Sequence, residues 1–138
     1  MWRNARSRAL TSCGGGPAAG AGFFYEPTVL DHVRPGMRAA EEELFGPVAV
    51  VMRTRDEEEA VHLANDSRYG LGTTVFTRDV EKGERLVRRI ESGSGFVNGM
   101  VKSDPRLPFG GIKASGYGRE LSVHGIREFV NAKTVWIG

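Results

Sequence analysis

Apolar residues along this chain fall into short continuous runs, separated by stretches in which they recur at about every third or fourth position. That alternation is the signature of strands and helices following one another. Residues 23–30 predict an extended segment, with Pro27 marking an edge position because proline donates no ladder hydrogen bond. Residues 36–43 predict a short helix stopped by Gly46-Pro47. Val48-Ala49-Val50-Val51-Met52 is apolar throughout, as expected of a strand in a parallel sheet covered on both faces. Asp56 and Glu59 form a capping pair that opens a helix carrying Ala60, Leu63 and Ala64, closed by residues 65–70. A second strand is predicted over residues 71–76. Asp79 caps a further helix, with Val80, Leu86, Val87 and Ile90 near one face and Lys82, Arg85 and Arg89 toward the other. Residues 93–98 make the third strand.

The order strand–helix–strand–helix–strand predicts an α/β fold built on a partial parallel sheet with right-handed crossovers. Residues 99–118 then read as loop, punctuated by Pro105, Pro108 and Gly110-Gly111, and Asn98 is expected to hold the loop's start through its side-chain amide. A short helix over residues 120–127 and an apolar tail strand over residues 128–137 complete the chain. There is no internal repeat.

Composition narrows the class without changing the picture. At 138 residues the chain suits one domain, and its 40% apolar and 26% charged content is that of an ordinary globular protein. Net charge is +2, with acids and bases interleaved, which points to neither a nucleic-acid nor a membrane partner. No apolar run approaches the roughly 20 residues that span a bilayer. Cys13 is the only cysteine, so no internal disulfide forms and a reducing, cytoplasmic setting is expected. It lies in Thr11-Ser12-Cys13-Gly14-Gly15-Gly16 with nothing nearby to lower its pKa, and reads as an incidental thiol. Residues 1–22 read as a flexible Gly/Ala-rich head. No acid precedes Glu26, and Arg3, Arg6 and Arg8 give the start the flavour of a transit peptide. Because Ala9-Leu10 runs straight into three glycines, the tail of a helix is the preferred reading.

Candidate chemistry is mostly excluded. There is no Gly-Lys pair for a phosphate loop, and the glycines at 14, 16, 93 and 95 lead into strands rather than helix N-termini. His32, His62 and His124 are too scattered to make a metal-ligand spacing with one cysteine. No Gly-x-Ser-x-Gly elbow occurs. The basic stripe on the 80–90 helix reads as a solvated face.

Four motifs stand apart from this background: Gly22-Phe23-Phe24-Tyr25-Glu26-Pro27-Thr28-Val29; Glu42-Glu43-Leu44-Phe45-Gly46-Pro47-Val48; Phe96-Val97-Asn98; and Leu107-Pro108-Phe109-Gly110-Gly111-Ile112-Lys113-Ala114-Ser115-Gly116-Tyr117-Gly118-Arg119-Glu120. In this order they resemble the aldehyde dehydrogenase superfamily, over about residues 22–137. Ser103-Asp104-Pro105-Arg106-Leu107-Pro108-Phe109 is most similar to the succinate-semialdehyde dehydrogenase branch.

The resemblance implies site residues one by one. Glu43 matches the carboxylate that holds the ribose on the nicotinamide side of NAD or NADP, where two acceptor oxygens suit two hydroxyls. Phe45 matches the aromatic that packs near the nicotinamide ring. Phe109 belongs to the segment lining the aldehyde entrance, and Arg106 is placed to pair with the distal carboxylate of an acidic aldehyde. Lys113 and Arg119 are expected to brace loop carbonyls or helix ends. The family's nucleophilic cysteine, which forms a thiohemiacetal before hydride transfer, and its general-base glutamate have no counterpart at the matching motifs here, so no residue is assigned as catalytic.

The expectation is therefore a C-terminal fragment, with residues 23–118 a partial catalytic domain and residues 119–138 a short helix and oligomerisation strand. It is expected to be inactive alone and to associate with itself or a homologue through residues 129–137. A non-catalytic interaction module is the alternative. Ribose hydrogen bonds contribute about 1–3 kcal/mol each when charge-assisted, against an association cost of roughly 4–15 kcal/mol. Tight cofactor binding by these residues alone is not expected.

Overall fold

The computed structural model describes residues 10–138, with side chains from Gly14 onward. The expectations for the arginine-bearing start and for the Cys13 thiol lie outside the described residues. Two compact units, residues 1–57 and 58–138, are each described by themselves.

The first unit holds a three-stranded sheet, β1 (Leu10–Cys13), β2 (Thr28–Asp31) and β3 (Val48–Val50), in the order β1-β2-β3. β1 runs antiparallel to β2 with an irregularity between Thr11 and Cys13, and β2 runs parallel to β3. The segment expected at an edge is therefore the centre of the sheet. Pro27 precedes the strand, where its missing N–H is not required. The ladder side begins at Thr28, whose N–H donates to the Pro47 carbonyl at 2.9 Å. Burial alternates along β2 with the period of the pleat, Thr28 and Leu30 facing inward. Part of the stretch expected as a loose head is thus structured, as β1 and as a turn bridging Pro17 to Tyr25.

Between β2 and β3 the chain crosses over through α1 (Arg38–Glu41), which ends where Glu42 becomes extended. Leu30, Val33 and Ala39 form the core of this unit, with Met37, Ala40, Leu44, Val48 and Met52 packed against it. A helix, α2 (Glu57–Asn65), follows.

The second unit contains β4 (Tyr69–Gly70), β5 (Gly72–Val75), α3 (Val80–Arg89), β6 (Ser94–Val97), β7 (Ile112–Lys113) and α4 (Ser122–Glu128). β5 and β6 pair in parallel from Gly72↔Ser94 to Val75↔Val97, with α3 as the crossover. Asp79 caps α3 as expected, its carboxylate accepting from the Lys82 N–H at 2.9 Å. α3 lies close against β6. A methyl at Gly83 would come within 2.7 Å of Val97 Cγ1, so only glycine allows this approach. Val80 sits in the helix's first turn and is 61% exposed, off the packed face assigned to it from periodicity.

Further expectations need correction. The three predicted parallel strands do not share one sheet: β3 pairs with β2, and β5 with β6, in separate ladders. The apolar run at β3 is not covered on both faces either, since Val50 and Val51 are exposed by 37% and 38%. The region 99–118 is not all loop, since β7 pairs antiparallel with β4. Residues 128–137, expected as a strand, carry no ladder among the described residues, and Glu128 instead ends α4. A strand needs a partner for its backbone groups, and Val135, Trp136 and Ile137 are exposed by 71%, 88% and 89%. Among the described residues no helix is long and apolar enough to cross a membrane.

Candidate functional site

In the first unit the site residues lie on the extended link between α1 and β3. Along such a link successive side chains alternate in direction. Leu44 turns inward onto the core of Leu30, Val33 and Ala39, which leaves Glu43 and Phe45 on the opposite side. Both are exposed, Phe45 by 89%, and the Glu43 carboxylate makes no hydrogen bond or ion pair among the described residues. The neighbouring Glu42 is instead engaged in a bidentate pair with Arg38, which lowers its pKa. Gly46-Pro47 fixes the end of the link, with the Pro47 carbonyl accepting from Thr28 and the Gly46 carbonyl from Val48. A carboxylate with both oxygens available beside an exposed aromatic ring suits a vicinal diol next to a flat ring.

In the second unit the chain from Phe109 to Glu120 forms a closed loop. Its ends are bridged by two backbone hydrogen bonds between Phe109 and Glu120, at 2.9 and 2.8 Å. Arg119 braces it from inside, Nη1 donating to the carbonyls of Gly111 at 3.0 Å and Gly118 at 2.6 Å. Lys113 ties it to the body of the unit. Its ammonium donates to the Asn65 carbonyl at the end of α2, at 2.8 Å, and pairs with Glu91 at 2.7 Å. These are the bracing roles the sequence predicts for Lys113 and Arg119.

Ser115 adds an anchor that the sequence reading missed, its hydroxyl accepting from the Gly70 N–H at 3.0 Å. Asn65 is another, joining the ends of α2 and α3 through the Arg89 carbonyl and the Glu91 N–H. Both depend on residues more than twenty positions away, so no local signal marks them. Against this loop lies an open groove of about 450 Å³, lined by Phe109, Tyr117, Arg119 and Phe129 among others.

Upstream, Asn98 spans to Thr77, accepting from its N–H and donating to its carbonyl, each at 2.8 Å. This is the expected clamp at the loop's start. Arg106 is 85% exposed and lies on a turn in which the Leu107 N–H donates to the Asp104 carbonyl. Its guanidinium pairs side-on with Asp104, Nε to Oδ1 at 2.9 Å and Nη2 to Oδ2 at 2.6 Å. The Arg106 side chain and its backbone N–H hold the Asp104 carboxyl well below the usual range, at about 2. Asp104 was not singled out from sequence; a carboxylate two residues before an arginine is too common to be a signal. Among the described residues no cluster of three or more His, Cys, Asp or Glu is placed to hold a metal ion. The structure thus brings together Glu43 with Phe45, and Phe109 with the bracing residues of its loop.

A parallel-stranded α/β chain with this loop and this acidic–aromatic pair defines a class already indicated by its motifs. The model of the aldehyde dehydrogenase family matches residues 2–135, and the chain belongs to that family. It is 52% identical over 134 residues to succinate-semialdehyde dehydrogenase [NADP(+)] 1 of Mycobacterium ulcerans, covering 97% of this chain and 29% of that protein.

Solved structures agree. Succinic semialdehyde dehydrogenase from Streptococcus pyogenes, in complex with NADP+, superposes with a TM-score of 0.93 at 40% identity, over 98% of this chain and 30% of that one. An aldehyde dehydrogenase of Mycobacterium tuberculosis complexed with NAD+ gives 0.85 at 43% identity, over 90% and 26%. The chain therefore spans about three-tenths of the length of these relatives.

Proposed function

We propose that this chain supplies part of the cofactor grip and the aldehyde entrance of an NAD(P)-dependent dehydrogenase acting on an acidic aldehyde of the succinate-semialdehyde type. The observation that carries the reading is the link at residues 43–45. Leu44 anchors it, and it presents an unengaged carboxylate and an exposed ring side by side. Glu43 accepts hydrogen bonds from the ribose hydroxyls on the nicotinamide side, and Phe45 limits the movement of the ring. When bound, the cofactor supplies the hydride acceptor. Phe109 lines the aldehyde's path, and Arg106 receives the distal carboxylate of the substrate. None of these residues makes or breaks a bond of the substrate; their work is to bind and orient.

The 138-residue polypeptide taken alone has no dehydrogenase activity in this reading and associates through residues 129–137, with a second copy or with a homologue. The exposure of Phe129, Val135, Trp136 and Ile137 supports that association. It equally supports the second reading, a non-catalytic module that joins intact relatives. Calorimetric titration of the chain with NAD and with NADP is expected to give no isotherm below millimolar cofactor, because ribose contacts alone do not offset the cost of association. A clear isotherm would overturn this account. In the assembled dehydrogenase, Glu43→Ala is expected to raise the cofactor KM by about tenfold, the worth of one charge-assisted hydrogen bond. An unchanged KM removes Glu43 from the grip.

A further inference from the structure

The pairing of Asp104 with Arg106 has a geometry that bears on substrate choice. A guanidinium offers two edges to a carboxylate: a side-on edge made by Nε and one Nη, and an end-on edge made by the two Nη atoms. Asp104 takes the side-on edge in full, and its Oδ1 accepts a third bond from the Arg106 backbone N–H at 2.9 Å. The end-on edge, Nη1 with the second hydrogen of Nη2, is engaged by no described residue. Asp104 is the anchored partner of the two, with its side chain 24% exposed against 85% for Arg106.

The turn is fixed on both sides. The Asp104 carbonyl accepts from the Leu107 N–H, and the Pro105 carbonyl accepts from the Ser122 N–H at 3.1 Å. A long exposed arginine would otherwise lose side-chain freedom on engaging a ligand.

We propose that Asp104 is a positioning residue for acidic aldehydes: it immobilises Arg106 by one edge so that the other edge is a preformed receptor for the substrate's distal carboxylate. This rests on the reading of Arg106 given above and assigns the residue that makes it selective. Asp104 does not cancel the attraction of the loop for an anion. Lys102 lies near enough to act on the Asp104 carboxyl, so Lys102, Asp104 and Arg106 together carry one net positive charge. A neutral aldehyde gains nothing from the arrangement, and an acidic one meets donors already aimed.

The test has two arms. In the assembled dehydrogenase, kcat/KM is measured for succinate semialdehyde and for butanal, with Asp104→Ala, Arg106→Ala and the double variant. Asp104→Ala is expected to lower the acidic-to-neutral ratio about threefold to tenfold, through KM rather than kcat, and to add nothing once Arg106 is alanine. Asp104→Glu, which retains the charge on a longer arm, is expected to recover part of the ratio. If Arg106→Ala leaves the ratio unchanged, the reading of Arg106 falls, and this inference with it. If Arg106→Ala lowers the ratio and Asp104→Ala does not, or raises it, only the positioning role falls.

The second arm needs no turnover. In the NMR spectrum of the full chain the Arg106 Nε–Hε resonance is expected to be protected from exchange and to lose that protection in Asp104→Ala. An Arg106 resonance equally unprotected in both would overturn the proposal.

Discussion

At the scale of single residues, the side chains with the clearest structural effect are those that hold irregular backbone. Asn98 adopts a positive φ of 53° while both atoms of its amide are bonded to Thr77. Alanine there loses both hydrogen bonds and tolerates that backbone less well, so Asn98→Ala is expected to destabilise the chain by about 2 kcal/mol in chemical denaturation. A change within experimental error would show that the clamp is dispensable.

Asp104 makes a prediction in pH. Its carboxyl titrates at about 2 in the folded chain against an ordinary value of 3.8, so the ionised form is the one the fold favours. The contribution of the pair is present above 3.8 and is lost as pH falls through about 2. The protected Arg106 Nε–Hε resonance is therefore expected to persist from neutral pH down to 3.8 and to disappear toward 2. Loss of the signal well above 3.8 would contradict the pairing. Both groups are exposed, so the effect on global stability is small.

Among the elements, the loop bearing Phe109 behaves as a braced unit whose rigidity comes from contacts at long range. Its glycines pass close to the turn ahead of β6. A Cβ at Gly93 would lie 1.7 Å from the Gly110 carbonyl oxygen, and that neighbour is backbone that Arg119 and the Phe109–Glu120 bridge hold in place. Gly93→Ala is expected to cost about 3 kcal/mol and to loosen the loop, read as faster amide exchange at residues 109–120. If the variant unfolds at the denaturant midpoint of the parent, the close approach is not present in solution. The same tight packing explains why β7 escaped the sequence reading. A two-residue ladder carries no periodicity, and Ile112 and Lys113 are selected by Gly70 and Tyr69 across from them.

On the scale of the whole molecule, buried apolar residues are few and exposed ones many. Among the described residues the buried aliphatic side chains are Leu30, Val33, Ala39 and Val61, whereas Phe45, Phe129, Trp136 and Ile137 are each exposed by 88% or more. The exposed side chains at residues 129–137 are the basis of the proposed association. Sedimentation velocity is expected to show association of the chain that rises with concentration. Replacing Phe129, Trp136 and Ile137 with serine is expected to reduce it. A monomer at every concentration would remove the proposed role of residues 129–137.

The sequence by itself determined the family, the alternation of strands and helices, the Asp79 cap and the Asn98 clamp. It also determined that Lys113 and Arg119 brace the long loop. The alternation and the cap depend on neighbours in sequence, and the roles of Asn98, Lys113 and Arg119 were legible only because those residues stand in recognisable motifs, although Asn98 and Lys113 find their partners at Thr77, Asn65 and Glu91 far along the chain. Tertiary structure alone decided which strands pair, that the Pro27 segment enters the centre of its sheet, and that residues 129–138 find no ladder among the described residues. It also decided that Arg106 offers one edge of its guanidinium while Asp104 holds the other. Pairing, register and side-chain orientation depend on groups brought together by folding, and the order of hydrophobic and polar positions carries no record of them.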